Sequence, residues 1–139
     1  MREQLVKVID LLNARDADGV RSQARAVFAP DAEMIEPGVE HDLEHAVGGW
    51  VGMFGASDDL HFDVVSAVEA ADRVVIEVVA RGTHTGTLGR DDEQQLPATG
   101  RPFTVPMVQV AEIADGRVRR WRSYWDRLDL FTQLGVAGG

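Results

Sequence analysis

Asp126 ends the run Trp121-Arg122-Ser123-Tyr124-Trp125-Asp126, and no other carboxylate of this chain sits among so many aromatic rings. A carboxylate beside apolar surface at a strand end is partly stripped of water, and such a group can give or take a proton near neutral pH. The same position suits an N-cap for a helix opening at Arg127. Three more ionisable residues stand where a strand could present them. Glu36 precedes Pro37-Gly38, Arg81 precedes Gly82, and His84 is the centre of Gly82-Thr83-His84-Thr85-Gly86. A neutral imidazole at His84 could polarise a carbonyl group. Alternation along a strand turns His84 away from Arg81 and Thr83, so the two sets share a cavity only if a bulge intervenes. His41 and His45 are four apart, a spacing that could place both on one helical face for a metal. No third ligand completes a zinc motif, so they read as a solvated pair and no metal is expected.

Around these groups lie the side chains that could hold a flat organic molecule. Trp50, Phe54 and Tyr124 are the first candidates, with Met107, Trp121 and Trp125 beside them. Tyr124 shares a strand face with Asp126, and Trp121 and Trp125 share the other. On the preceding strand either Val108 and Val110 or Met107 and Gln109 face inward, and Gln109 is an oxyanion donor only in the second case. There is no Gly-rich phosphate loop before a helix and no Gly-x-Ser-x-Gly, so no nucleotide, serine nucleophile or other cofactor is expected.

The elements that must position these residues follow from periodicity. Leu5, Val8, Ile9 and Leu12 predict an amphipathic helix from Arg2 to Ala14. Asp16-Ala17-Asp18-Gly19 breaks it and caps a second helix with Val20, Ala24, Val27 and Phe28 inward, stopped by Pro30-Asp31. Ala32 to Glu36 reads as a short strand. The acidic Glu40-His41-Asp42 leads into a third helix, weakened by Gly48, Gly49 and Gly52 and so expected to be short or irregular. From Leu60 the pattern is strand-like: His61 to Glu69, Arg73 to Ala80 running on to Gly86, a polar loop from Leu88 to Gln95, Thr104 to Ile113, and Val118 to Trp125. Ala114-Asp115-Gly116 is the hairpin turn of the last pair. Leu128, Leu130, Phe131 and Leu134 form a closing helix. Helices first and a strand meander after predict an α+β fold, with a curved antiparallel sheet forming a cone and helices packed over its open side. Such a concavity suits a hydrophobic small molecule.

Bulk properties agree. The chain has 139 residues, enough for a single domain over residues 1–139, and 45% of them are apolar. There is no cysteine, which removes disulfides, thiol catalysis and thiolate metal sites. A net charge of -9 repels phosphate backbones and anionic lipid, so neither nucleic acid nor membrane is expected as a partner. No apolar run reaches the roughly 18–20 residues that span a bilayer, and the N-terminus has no signal-like apolar stretch. A cytoplasmic protein is expected.

Several segments, in order, resemble one family. Asn13 to Asp18, Phe28 to Ala32, Gly82 to Gly86, Leu96 to Arg101, Asp115 to Val118, Trp121 to Asp126 and Gln133 to Gly135 are similar to the SnoaL-like polyketide cyclases of the nuclear transport factor two-like superfamily. The similarity extends to its limonene-epoxide-hydrolase-like and ketosteroid-isomerase-like members, and is weakest between Gly38 and Asp59 and from Arg90 to Gln95. The resemblance implies Asp126 as general acid/base of an intramolecular aldol closure. It implies Arg81 as the arginine of the hydrolases' Arg-x-Asp pair, although Thr83 stands where that aspartate would be. Glu36 resembles the proton-shuttling carboxylate of the ketosteroid isomerases, yet Val8 or Ile9 stands where their first helix carries a tyrosine. The function so implied is a cofactor-free acid/base enzyme that cyclises or isomerises a hydrophobic carbonyl compound, with Asp126, Arg81, Glu36 and His84 catalytic. Trp50, Phe54, Tyr124, Val108 and Gln109 would bind substrate. The alternatives are an epoxide-hydrolase-like enzyme using Asp126 and Arg81, and a non-catalytic binding protein. The resemblance also implies a homodimer.

Overall fold

The computed structural model describes residues 1–89 and 95–136, so residues 90–94 of the loop expected from Leu88 to Gln95 lie outside the described residues. Helix α1 (Arg2–Asn13) buries Leu5, Val8, Ile9 and Leu12, the stripe its periodicity demands. Helix α2 (Ala17–Val27) starts at Asp16, whose Oδ1 accepts from the Gly19 N–H at 2.9 Å. The chain passes directly from α2 into strand β1 (Phe28–Glu36), four residues ahead of the expected start at Ala32. Pro30 and Asp31 do not stop the chain. They are the exposed residues of a bulge, where the register to the neighbouring strand shifts between Phe28 and Glu33.

A three-residue strand β2 (Val39–His41) then pairs back on β1 through the Gly38 turn, where φ is 77°. Helix α3 (Leu43–Ala56) is an uninterrupted 14 residues despite its glycines. The Asp42 side chain caps it at the His45 N–H, and burial of Leu43, Ala46 and Val47 outweighs the propensity cost. Strands β3 (His61–Glu69), β4 (Arg73–Thr83), β5 (Pro102–Ala114) and β6 (Arg117–Tyr124) follow, and α4 (Arg127–Gln133) closes the described chain. The β5–β6 turn carries Asp115 and Gly116 at φ 54° and 75°, the two left-handed residues its Asp-Gly pair predicts.

The strands form one curved, unclosed sheet in the order β2-β1-β6-β5-β4-β3. Every pairing is antiparallel except β1 with β6, which is parallel and which periodicity along the chain does not reveal. Two apolar clusters lie on the concave side. The larger one joins α1, α2 and α3 to the sheet around Phe28, Trp50 and Trp121, whose ring centroids are 5.6–6.0 Å apart in edge-on and tilted contacts. The smaller one joins α4 to Phe103, Val105 and Leu60.

Amide side chains tie helices to strands. Asn13 donates Nδ2–H to the Phe62 carbonyl (2.9 Å) and accepts the Phe62 N–H (2.8 Å), so α1 is hydrogen-bonded to β3 as another strand would be. Gln133 does the same for Thr104, at 3.0 and 2.8 Å, along the part of β5 that extends past the end of β6. The C-terminal end of α3 meets the end of β4 where the Ala56 carbonyl accepts from the N–H groups of Thr85 (3.1 Å) and Gly86 (3.0 Å). No helix among the described residues is long and apolar enough to cross a membrane.

This last junction leaves no room for a side chain. A Cβ on Gly86 would overlap the Gly55 carbonyl oxygen, a backbone atom that cannot swing aside as a flexible side chain would. Gly86→Ala is therefore expected to lower stability by about 1–3 kcal/mol, measured by urea unfolding at constant m-value. An unchanged midpoint would show that the two backbones are not in contact.

Candidate active site

A cavity of about 380 Å³ lies between the concave face of the sheet and helices α1, α3 and α4, and it runs from the larger apolar cluster into the smaller one. Alternation decides its sheet-side wall. Strand β5 presents Phe103, Val105, Met107 and Gln109, β4 presents Val78 and Ala80, and β6 presents Trp121 and Ser123. Of the two pairs left open for β5, Met107 and Gln109 face the cavity. Val108 pairs with Tyr124 across the hairpin, and both are on the convex side; Tyr124 is 55% exposed. Neither of these two expected substrate contacts lines the cavity, because each is one residue out of phase with the inward face.

Glu36 is the one carboxylate lining the cavity among the described residues. It follows Met34, which is fully buried, on the same face of β1. The parallel register Ile35 to Arg122 sets Glu36 level with Ser123, and Ser123 is the cross-strand partner of Gln109. Glu36, Ser123 and Gln109 thus form a polar row across three adjacent strands. Trp50 donates Nε1–H to Glu36 Oε1 at 3.3 Å, and His41 Nε2 lies 3.5 Å from Oε2 with little exposure. These two contacts orient the carboxylate from both sides.

Five buried side-chain polar atoms among the described residues have no hydrogen-bond partner: Arg21 Nη1, His84 Nε2, Gln109 Oε1, Trp121 Nε1 and Ser123 Oγ. Four of the five belong to cavity residues. An unmade buried hydrogen bond costs about 1–3 kcal/mol, so these four atoms are the points on the wall where a polar partner would gain most. His84 is 2% exposed. Its Nδ1 lies 2.9 Å from the Thr99 hydroxyl and accepts the Thr99 N–H at 3.2 Å. The ring is on the inward face, as alternation with Arg81 requires.

The remaining expected residues are elsewhere. Asp126 is exposed and absent from the cavity wall, although its chain neighbours Trp125 and Arg127 line it. Its Oδ1 accepts the Asp129 N–H at 3.0 Å, so the carboxylate is the N-cap of α4 and remains in water. Arg81 is on the convex face, paired with Asp63 of β3 at 2.7 Å, and does not meet Asp126. The pair expected to position water is not assembled. Phe54 stacks under the Arg15 guanidinium, 4.9 Å from the ring centroid, and is off the cavity wall. Trp50, Gln109, Glu36 and His84 do line it.

Sequence reasoning missed His41, Ser57 and Ser123 as lining residues. His41 read as solvated because a three-residue strand has no period to detect. Ser57 and Ser123 are small polar residues with no chemical signature; the inward position of Ser123, two after Trp121, was the available signal.

The family model described as SnoaL-like polyketide cyclase matches residues 4–134. Aklanonic acid methyl ester cyclase DnrD of Streptomyces peucetius is 29% identical over 111 residues, which cover 74% of this chain and 72% of DnrD. The crystal structure of IdmH, a candidate polyketide cyclase of Streptomyces antibioticus, is 27% identical with a TM-score of 0.73, over 96% of this chain and 97% of that one. A SnoaL-like protein of Jannaschia sp. CCS1 shares the fold at a TM-score of 0.81 and 23% identity, over 99% of this chain and 92% of that one.

One carboxylate supports the cavity from outside. Asp59 accepts the Thr83 N–H (2.7 Å), the Thr83 hydroxyl (3.0 Å) and the Ser57 hydroxyl (3.1 Å), fixing the residue that precedes His84. The Thr83 backbone bond first, then the two hydroxyls, hold its carboxyl below the usual aspartate range. A lowered folded-state pKa adds stability that is complete above the unfolded value and disappears as pH falls through the folded one. Asp59→Asn is thus expected to melt below the parent at pH 7, with the gap closing below about pH 4. A gap that is constant from pH 7 to pH 3 would refute the charge-assisted role.

Proposed function

The chain belongs to the SnoaL-like polyketide cyclase family, and on that premise we propose that it is a cofactor-free acid/base enzyme that closes or isomerises a hydrophobic, polyketide-like carbonyl compound. Glu36 is the proton-transferring group. What carries this reading is the placement of Glu36, the one carboxylate of a largely apolar wall among the described residues, level with two unpartnered polar side chains.

In the proposed step the Glu36 carboxylate removes a proton from the carbon next to a ketone. The electron pair moves onto the ketone oxygen, where Ser123 Oγ–H and Trp121 Nε1–H are the unpartnered donors. The nucleophilic carbon adds to a second carbonyl carbon of the same molecule, a C–C bond forms, and the new alkoxide takes the proton back from the Glu36 carboxylic acid. Substrate and product are isomers, so no co-reactant is consumed. If the proton returns to a different carbon and no bond closes, the result is isomerisation. The apolar wall excludes water that would otherwise quench the carbanion, and the Trp50 and His41 contacts keep the carboxylate aimed.

The test uses aklanonic acid methyl ester, the compound in DnrD's name, together with flat polyketide-like diketones, and follows mass-neutral conversion by chromatography. Glu36→Gln is expected to reduce kcat roughly 10²–10⁴-fold at an unchanged melting temperature. Asp126→Asn keeps a competent cap and is expected to turn over like the parent. Full activity in Glu36→Gln, or loss confined to Asp126→Asn, would overturn the assignment. Entry of solvent oxygen-18 into the product would replace cyclisation by hydrolysis.

A further inference from the structure

Nothing in the proposed reaction uses His84. The ring lines the cavity, is almost fully buried, and has one nitrogen with no partner. Its other nitrogen faces two donors of Thr99, the N–H and the hydroxyl. A ring nitrogen that accepts a backbone N–H carries no proton, which puts the proton of the neutral imidazole on Nε2. His84 therefore presents a fixed N–H donor, and Thr99 is the residue that fixes it.

The donor is far from Glu36. The His84 backbone N–H bonds the Arg101 carbonyl at 2.9 Å, so His84 is level with Arg101, the residue before β5, whereas Glu36 is level with Gln109 within that strand. That separation of eight positions corresponds to roughly 26 Å of strand contour, shortened in space by the curvature of the sheet. Phe103, Val105 and Met107 fill the inward positions between these two levels, and Val78 and Ala80 stand beside them on β4. The cavity is thus polar at both ends and apolar at the waist.

We infer that His84 is a specificity-determining donor: its Nε2–H bonds an oxygen at the end of the ligand remote from Glu36, and the preferred ligand is an elongated flat ring compound with carbonyl or hydroxyl oxygen at both ends. Thr99 is the positioning residue that holds the tautomer. The inference rests on reading the cavity as the substrate site.

The test separates it from proton transfer by using probes that cannot react. 2,6-Dihydroxyanthraquinone carries oxygen at both ends, and 2-hydroxyanthraquinone at one. Titration by tryptophan fluorescence is expected to give the parent a preference for the dihydroxy probe of roughly tenfold. His84→Leu is expected to abolish that preference while leaving the monohydroxy affinity as it was. His84→Gln, which keeps an N–H donor near the Nε2 position, is expected to restore part of it, and Glu36→Gln to retain all of it. In nitrogen-15 spectra of the parent, His84 should show an unprotonated Nδ1 and a protonated Nε2, and only the dihydroxy probe should shift the Nε2 signal. Thr99→Val is expected to weaken the preference by admitting the other tautomer, visible in the same spectra. A preference that survives in His84→Leu, or equal parental affinities, would overturn the role of His84 and leave the Glu36 assignment standing. Failure of the parent to bind either probe would remove the cavity as the substrate site and both readings with it. Should His84→Leu not fold, the parental preference and the Nε2 shift decide the matter.

Discussion

The parallel pairing of β1 with β6 is the constraint on which the site depends. It sets Ile35 beside Arg122, and from that register Glu36 falls level with Ser123 and, through the antiparallel β5–β6 hairpin, with Gln109. A slip of one residue in β1 would turn Glu36 to the convex face and bring Ile35 inward. What prevents the slip is the burial of Met34 on one side of Glu36 and the short return strand β2 on the other. The bulge at Pro30 and Asp31 takes up the mismatch between the end of α2 and this register. Helix packing and strand order, in this view, serve to hold one carboxylate at one height on a curved wall.

That wall is expensive. A cavity of about 380 Å³ replaces packed core, and four buried polar atoms around it lack partners. Ordinary interiors leave very few such groups unpaired. The molecule offsets the deficit elsewhere, with side-chain amides that bind helices to strand backbones and with charge pairs across the outer face, such as Arg120 with Glu33 at 2.8 Å and Arg122 with Glu112. Despite the acidic excess of the chain, the cavity wall carries a single carboxylate among the described residues. Global charge therefore says little about the guest, and the local arrangement says more.

Much of the fold was legible in the sequence. Helical stripes in α1 and α2, the Asp-Gly turn and the Val-rich strands follow from local periodicity and turn chemistry, which act over a few residues. The site was less so, for a specific reason. Asp126 stood in the most suggestive motif, yet a carboxylate three residues before a free helical N–H also suits an N-cap, and the structure shows it capping α4 away from the cavity wall. The row that Glu36 forms with Ser123 and Gln109 was not legible, because those residues are more than seventy positions away and no local pattern records a parallel pairing over that distance. The phase of β5 was undetermined because Met107, Val108, Gln109 and Val110 include apolar residues on both faces. His84 was correctly phased against Arg81 by alternation alone, whereas the nitrogen that carries its proton depends on Thr99, fifteen residues on.

The concave wall as binding surface is most directly tested by isotope-edited NMR of the protein saturated with 2,6-dihydroxyanthraquinone. Ring-proton contacts to the Met107 and Val105 methyl groups, with none to Val108 or Val110, are the expected result. Contacts to Val108 and Tyr124 in their place would put the guest on the convex face and contradict the site described above.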